Sequence, residues 1–245
     1  MRRIPETIKQ LLIVNVLFFI GSQYLGPLSY DLLALHYPDN DNFFAWQLVS
    51  HMFMHGSIMH IAFNMLGLWM FGSPLEQMWG SKKFLFFYFS TGLGAAGLQL
   101  LMYSITINSG STLLLESGVA QQTIDKILIS GSYNTNILEY IEQDKLFAMY
   151  EAFNATMVGA SGALYGVLVA FAFLFPNAEL MMIFLPIPIK AKYFVPLLIV
   201  GDLFFGFSSY SVGSIAHFAH VGGALTGFVM MWYWKKNQFN NQRWS

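Results

Sequence analysis

The sequence predicts an all-α polytopic membrane protein, and three observations carry that expectation. Hydrophobic residues fill 56% of the 245 positions and charged residues only 10%, against about 25% charged in an average soluble domain. The apolar residues gather into six long runs separated by more polar stretches. The basic residues fall almost entirely on one side of those runs. A soluble core of this size could not hide so much apolar surface, so lipid is the expected solvent.

A helix needs roughly 20 apolar residues to cross a bilayer. Six segments are candidates: 8–26, 58–75, 84–105, 156–175, 191–207 and 214–234. The first follows a basic start and resembles a signal peptide, but five further runs follow it, so it reads as a span. Only helices and closed barrels satisfy every backbone polar group within lipid, and these runs are too long and too uniformly apolar for barrel strands. If the N-terminus is cytoplasmic, Arg2, Arg3, Lys9, Lys82, Lys83, Lys190, Lys192, Lys235, Lys236 and Arg243 lie inside or at the inner boundary. Only Lys126 and Lys145 lie outside. The preference for basic residues on the cytoplasmic side selects this orientation, with both termini cytoplasmic. The expected organisation is a cytoplasmic N-terminus at 1–7, a six-helix membrane domain at 8–234 with an extended outer loop at 106–154, and a cytoplasmic tail at 235–245.

The net charge of −1 offers no basic balance for nucleic acid. The absence of cysteine excludes disulfides and thiolate metal sites.

In this topology the second, fourth and sixth spans all start at the outer face, which brings three motifs to one shallow level. The stretch "MVGASGALYG" (157–166) sets Ser161 among Gly159, Ala160 and Gly162, with Tyr165 one turn later. Small residues of this kind pack membrane helices closely, and Gly162 with Gly166 forms a G-xxx-G pair. The same serine becomes a nucleophile if a base lies beside it. The stretch "AHFAHVGGALTG" (216–227) places His220, an ionisable group inside lipid, on one helical face with Gly223 and Gly227. A glycine-lined sixth helix against a glycine-lined fourth would carry His220 to Ser161, and Tyr165 could stack on the imidazole. In "SHMFMHGSIMHIAFNMLGLW" (50–69), His60 and Asn64 share a face at i, i+4, and both can donate hydrogen bonds to a developing oxyanion. His51 and His55 have the same spacing. They read as a hydrogen-bonded scaffold of the outer loop, the rival reading being a metal site, which lacks a carboxylate or thiolate at that depth. No acid clearly accompanies the serine and histidine. Asp202, near the outer end of the fifth span, reads as a structural or loop-facing group, with the orienting of a histidine as the lesser alternative.

Together these stretches resemble the rhomboid intramembrane serine proteases: "GASG" followed by Tyr165, "AHVGGALTG" on the last helix, and "HGSIMHIAFN" on the second. The resemblance covers about residues 44–103 and 155–234. It implies a six-helix rhomboid-like bundle and an intramembrane serine endopeptidase that cuts transmembrane segments of protein substrates near their outer end. It implies Ser161 as nucleophile and His220 as base. It also implies His60, Asn64 and the Ser161 N–H as oxyanion hole, and Tyr165 as the residue stacked on the base. Glu76 is implied as the acid that ties the second helix to the following loop, with no metal and no cofactor. The expected partners are transmembrane substrates and the bilayer, in a bacterial inner membrane. A non-catalytic relative that binds or escorts membrane proteins is the alternative; such a member should lack the serine or the histidine. A histidine-based ion transporter would need paired carboxylates near midplane and internal repeats, and neither is visible.

Two features depart from the family pattern. The first outer loop carries Trp46–Gln47 where many members have Trp-Arg, which removes an ion pair. Segment 106–154 is far longer than usual. Its stretches 121–130 and 136–153 show helical spacing, and Ile137, Leu138, Ile141 and Phe147 suggest a helix lying on the outer surface. The prolines of "LPIPIKAKYFVPLL" end a loop at Pro186 and Pro188, and Pro196 is a candidate kink.

Overall fold

The computed structural model describes residues 4–182, 185–208 and 216–237; Arg2, Arg3, Arg243, the start of the expected sixth span and most of the expected tail lie outside them. The described chain is mostly helical. Helix α1 (Glu6–Leu25) is followed by short helices α2 (Pro27–Leu33) and α3 (Gln47–Ser50). Next comes one continuous helical segment made of α4 (Ile58–Gly67), a π turn (Leu68–Gly72) and α5 (Ser73–Trp79). Helix α6 (Ser81–Glu116) leads to α7 (Gln121–Ser130) and α8 (Gln143–Asn154), then to α9 (Ser161–Leu174). An antiparallel pair, β1 (Glu179–Met182) and β2 (Leu185–Lys190), precedes α10 (Ala191–Phe207) and α11 (His217–Lys236). Among the described residues, three segments, Glu6–Leu25, Ile58–Trp79 and Ser81–Glu116, are long and apolar enough to cross a membrane.

Helix α9 is the hub. Its 14 residues span only about 21 Å, short of the ~30 Å hydrocarbon core. It can be short because protein surrounds it: Val167 and Ala170 are fully buried, and α6, α10, α11 and the π turn all pack on it. The expected span 156–175 therefore starts late. Residues 156–160 are not helical, because Gly159 takes φ +123°, a conformation that closes to side-chain-bearing residues.

Small residues set the closest approaches. A Cβ added at Gly227 would stand 2.8 Å from Gly166 Cα, and one at Gly223 would collide with the Gly162 carbonyl oxygen. Helices α9 and α11 thus touch backbone to backbone, as small-residue membrane helices do. At the other end of the bundle, Lys83 sits over the rings of Trp79 and Trp234, 5.6 and 4.3 Å from their centroids.

Glu76 ties more than the sequence suggests. Its carboxylate accepts from the Thr7 and Ile8 N–H groups at 3.0 and 2.9 Å and from Ser81 Oγ at 2.9 Å. It thereby satisfies orphan N–H groups at the start of α1 and joins α1, α5 and α6.

The segment after the third run is more ordered than a surface loop. Helix α6 runs to Glu116 rather than 105, making it about 54 Å long. Expected helix 136–153 divides into a 3₁₀ turn (Thr135–Glu139) and α8. Ile137 and Ile141 do not join Leu138 and Phe147 on one face. The first two are buried in a second apolar core with Ile107, Leu114, Ile124, Ile127 and Met149, while Leu138 and Phe147 are exposed. This cap buries its own core against the α6 extension.

The first outer loop compensates for its missing arginine with a neutral amide. Buried Gln47 donates to the Asp31 and Asn42 carbonyls at 2.9 and 2.8 Å and accepts from the His36 and Phe44 N–H groups at 3.3 and 3.2 Å. Beside it, His51 Nδ1 donates to the Gln47 carbonyl at 2.7 Å. Burial holds the His51 pKa down at about 4, against the lift from that bond. His55 is also held at about 4, by burial first and by the neighbouring His60 ring second.

Two measurements follow. Gly223→Ala should push α11 off α9 and lower stability by about 1–3 kcal/mol, read as a lower melting temperature in detergent; an unchanged melt would contradict the backbone contact. Because the folded His51 and His55 pKa values lie below the unfolded 6.5, the stability that they confer is full above pH 6.5 and drains as pH falls toward 4. Stability should be flat above about pH 6.5 and fall between pH 6.5 and pH 4 by on the order of 1 kcal/mol per pH unit for each ring, read as a falling melting temperature. A flat profile would count against buried neutral imidazoles.

Candidate functional site

Three helix N-termini converge on one end of the bundle: α4 with His60, α9 with Ser161, and α11 with His217 and His220. Ser161 opens α9, so its N–H is one of the first-turn groups with no partner inside the helix. The loop before it is pinned on both sides. Met157 exchanges backbone hydrogen bonds with Leu35 at 3.0 and 2.9 Å, and the Gly159 N–H donates to the His51 carbonyl at 2.9 Å. The scaffold histidine thus fixes the loop through its backbone, while its ring anchors the outer loop.

The structure brings Ser161 and His220 together: Ser161 Oγ lies 2.9 Å from His220 Nε2. Tyr165 lies flat on the imidazole, with centroids 4.3 Å apart and planes 8° from parallel. That stack leaves the ring free to rotate only in its own plane.

His60 borders the same space, and Asn64 lies one turn further along α4. The Gly56 N–H points at His60 Nδ1 across 3.5 Å, the long limit of a hydrogen bond, and this favours the tautomer with its proton on Nε2. A Cβ at Gly159 would meet His60 Nε2 at 2.7 Å and Ser161 Oγ at 3.7 Å, so the His60 ring edge faces the serine across the glycine. Substitution of Gly159 would fill that gap as well as strain the backbone. Asn64 spends one amide hydrogen on the His60 carbonyl at 3.0 Å and keeps a second donor. His55, packed edge-on to His60 at 5.0 Å between centroids, stands behind it.

Asp202 is not loop-facing. It is buried, and its Oδ1 lies 3.1 Å from His220 Nδ1 and 2.6 Å from His217 Nδ1. Sequence reasoning left the serine and histidine without an acid and missed His217 altogether. The available signal was the i, i+3 pair His217/His220 opposite the one carboxylate of the preceding apolar run.

An alcohol in contact with an oriented imidazole, beside backbone and side-chain donors, can perform acyl transfer. Glu76, by contrast, is remote from this site and joins helix ends at the opposite pole of the bundle.

The Rhomboid domain family matches residues 42–237. Over 189 residues the chain is 26% identical to Rhomboid protein 1, mitochondrial, of Saccharomyces cerevisiae, covering 77% of this chain and 42% of that protein. A mitochondrial rhomboid protein of Schizosaccharomyces pombe is 28% identical over 193 residues, 75% of this chain and 49% of its own length. Rhomboid protease GlpG of Klebsiella pneumoniae is 39% identical over 74 residues, 30% of this chain and 27% of the protease. The chain spans less than half the length of these relatives. With a family match across most of its length and a multi-pass, apolar helical fold, it is an integral membrane protein and belongs to the rhomboid family.

Proposed function

We propose that this protein is an intramembrane serine endopeptidase that cleaves transmembrane segments of membrane-protein substrates near their outer end. The observation that carries the reading is the 2.9 Å contact between Ser161 Oγ and His220 Nε2 beneath a stacked Tyr165.

In this reading α1, the segment Ile58–Trp79, α6, α9, α10 and α11 are six spans, and both termini are cytoplasmic. Lys83 and Lys235 lie toward the pole opposite Ser161, which supports that orientation through the cytoplasmic preference of basic residues. The site then lies just under the outer surface, where water can reach it. A substrate helix must unwind locally, because its carbonyls are otherwise held in i→i−4 bonds.

His220 Nε2 takes the Ser161 proton as Oγ bonds to the scissile carbonyl carbon. The oxyanion accepts from the Ser161 N–H, His60 Nε2–H and the Asn64 amide. His220 then protonates the departing amine as the C–N bond breaks. Water, deprotonated by the same imidazole, releases the acyl group and restores Ser161. None of these steps calls on a metal or cofactor.

The relatives carry both mitochondrial and bacterial names, so the bacterial inner membrane expected from the sequence gains no support from them.

Reconstituted into liposomes with a single-span substrate, the wild type should cut near the outer end of the span. Ser161→Ala and His220→Ala should reduce cleavage to background. His60→Ala and Asn64→Ala should lower kcat by about 10²–10³ each, the usual cost of one oxyanion donor. Cleavage by Ser161→Ala at the wild-type rate would overturn the assignment, and uncut substrate that stays bound to folded wild type would favour an escort.

A further inference from the structure

Resting on the proposed Ser161–His220 chemistry, we infer that Asp202 is the positioning residue of the base, and that it is shared with a second histidine, His217. For His220 Nε2 to accept the serine proton, its own proton must sit on Nδ1. That proton needs an acceptor, and the acceptor present is Asp202 Oδ1 at 3.1 Å. The carboxylate comes from α10 and the two imidazoles from the first turn of α11, so the network bridges two helices.

The same oxygen receives His217 Nδ1 at 2.6 Å. Asp202 is 7% exposed and His217 8%. A buried carboxylate costs several kcal/mol to desolvate unless its lone pairs are filled. His217 and His220 both contact its Oδ1, which offsets that cost. His217 is held in turn by the Phe205 ring, 5.9 Å away between centroids and 28° from parallel. Its Nε2 is buried and has no hydrogen-bond partner among the described residues, as suits a ring whose proton is on Nδ1.

The three groups could also be taken for a metal site, since their ligand atoms lie within 4.8 Å of one another. Two ligands of one tetrahedral zinc stand about 3.3 Å apart. The 2.6 Å separation between His217 Nδ1 and Asp202 Oδ1 is that of a hydrogen bond and leaves no room for an ion between them.

The titratable groups facing His220 are Asp202 from α10, His217 on its own helix, Tyr165 from α9 and His60 from α4. Of these, Asp202 is the carboxylate in contact with the His220 ring, placed to stabilise the imidazolium as it forms.

Asp202→Asn should keep its melting temperature and KM within error and lose at least tenfold in kcat, a split that a merely structural role would not give. Asp202→Glu should recover part of the rate. Histidine ¹⁵N NMR of wild type and of His217→Gln at pH 7.5 supplies a reading that needs neither activity nor the Asp202 variant. His220 should be neutral with its proton on Nδ1 in both. A rate within threefold of wild type, or a loss of rate that Asp202→Glu does not restore in part, would overturn the inference. So would an Nε2-protonated His220. If wild type cuts no substrate while His220 is Nδ1-protonated, the peptidase reading fails and the positioning role stands.

Discussion

The structure depends on how closely α11 can approach α9. Lipid tails are as apolar as the helix faces they would replace, so no hydrophobic gain drives these helices together. Contact must come from packing, and packing this close requires side chains to be absent. Gly223 and Gly227 meet Gly162 and Gly166 with no space for a methyl group. That backbone contact sets the rotation and depth of α11, and with them the 2.9 Å distance between His220 and Ser161. The bland reading of "GASG" and "AHVGGALTG" as packing surfaces and the chemical reading as a reactive pair are therefore one arrangement, since the packing creates the pair.

Around that contact the fold solves a second problem, which is to hold polar groups where water is scarce. Three helices start at one level and leave first-turn N–H groups unpaired there. A buried amide at Gln47 takes up four loop backbone groups, and Asp202 is met by His217 and His220. At the opposite pole Glu76 covers the start of α1. Each device satisfies a polar group within protein, as an apolar solvent demands.

Much of this was legible in the sequence, because lipid makes spans conspicuous and because helical spacing puts His60 with Asn64 and His220 with Gly223 and Gly227 on single faces. What sequence could not give depends on contacts between distant segments. Asp202 looked isolated because its partners lie 15 and 18 residues away, on the next helix. Helix α9 looked longer than it is because apolarity continues through 156–160 while Gly159 ends the helical geometry. Leu138 and Phe147 looked like partners of Ile137 and Ile141 because spacing assumes one unbroken helix. The chain breaks that helix between Glu139 and Gln143.

The most direct test of the central claim is intact-protein mass spectrometry of the detergent-solubilised protein after exposure to a fluorophosphonate, which modifies only an activated serine. The account predicts one adduct, mapped to Ser161, on the wild type and none on Ser161→Ala or His220→Ala. Equal labelling of all three proteins, or no labelling of a folded wild type, would contradict it.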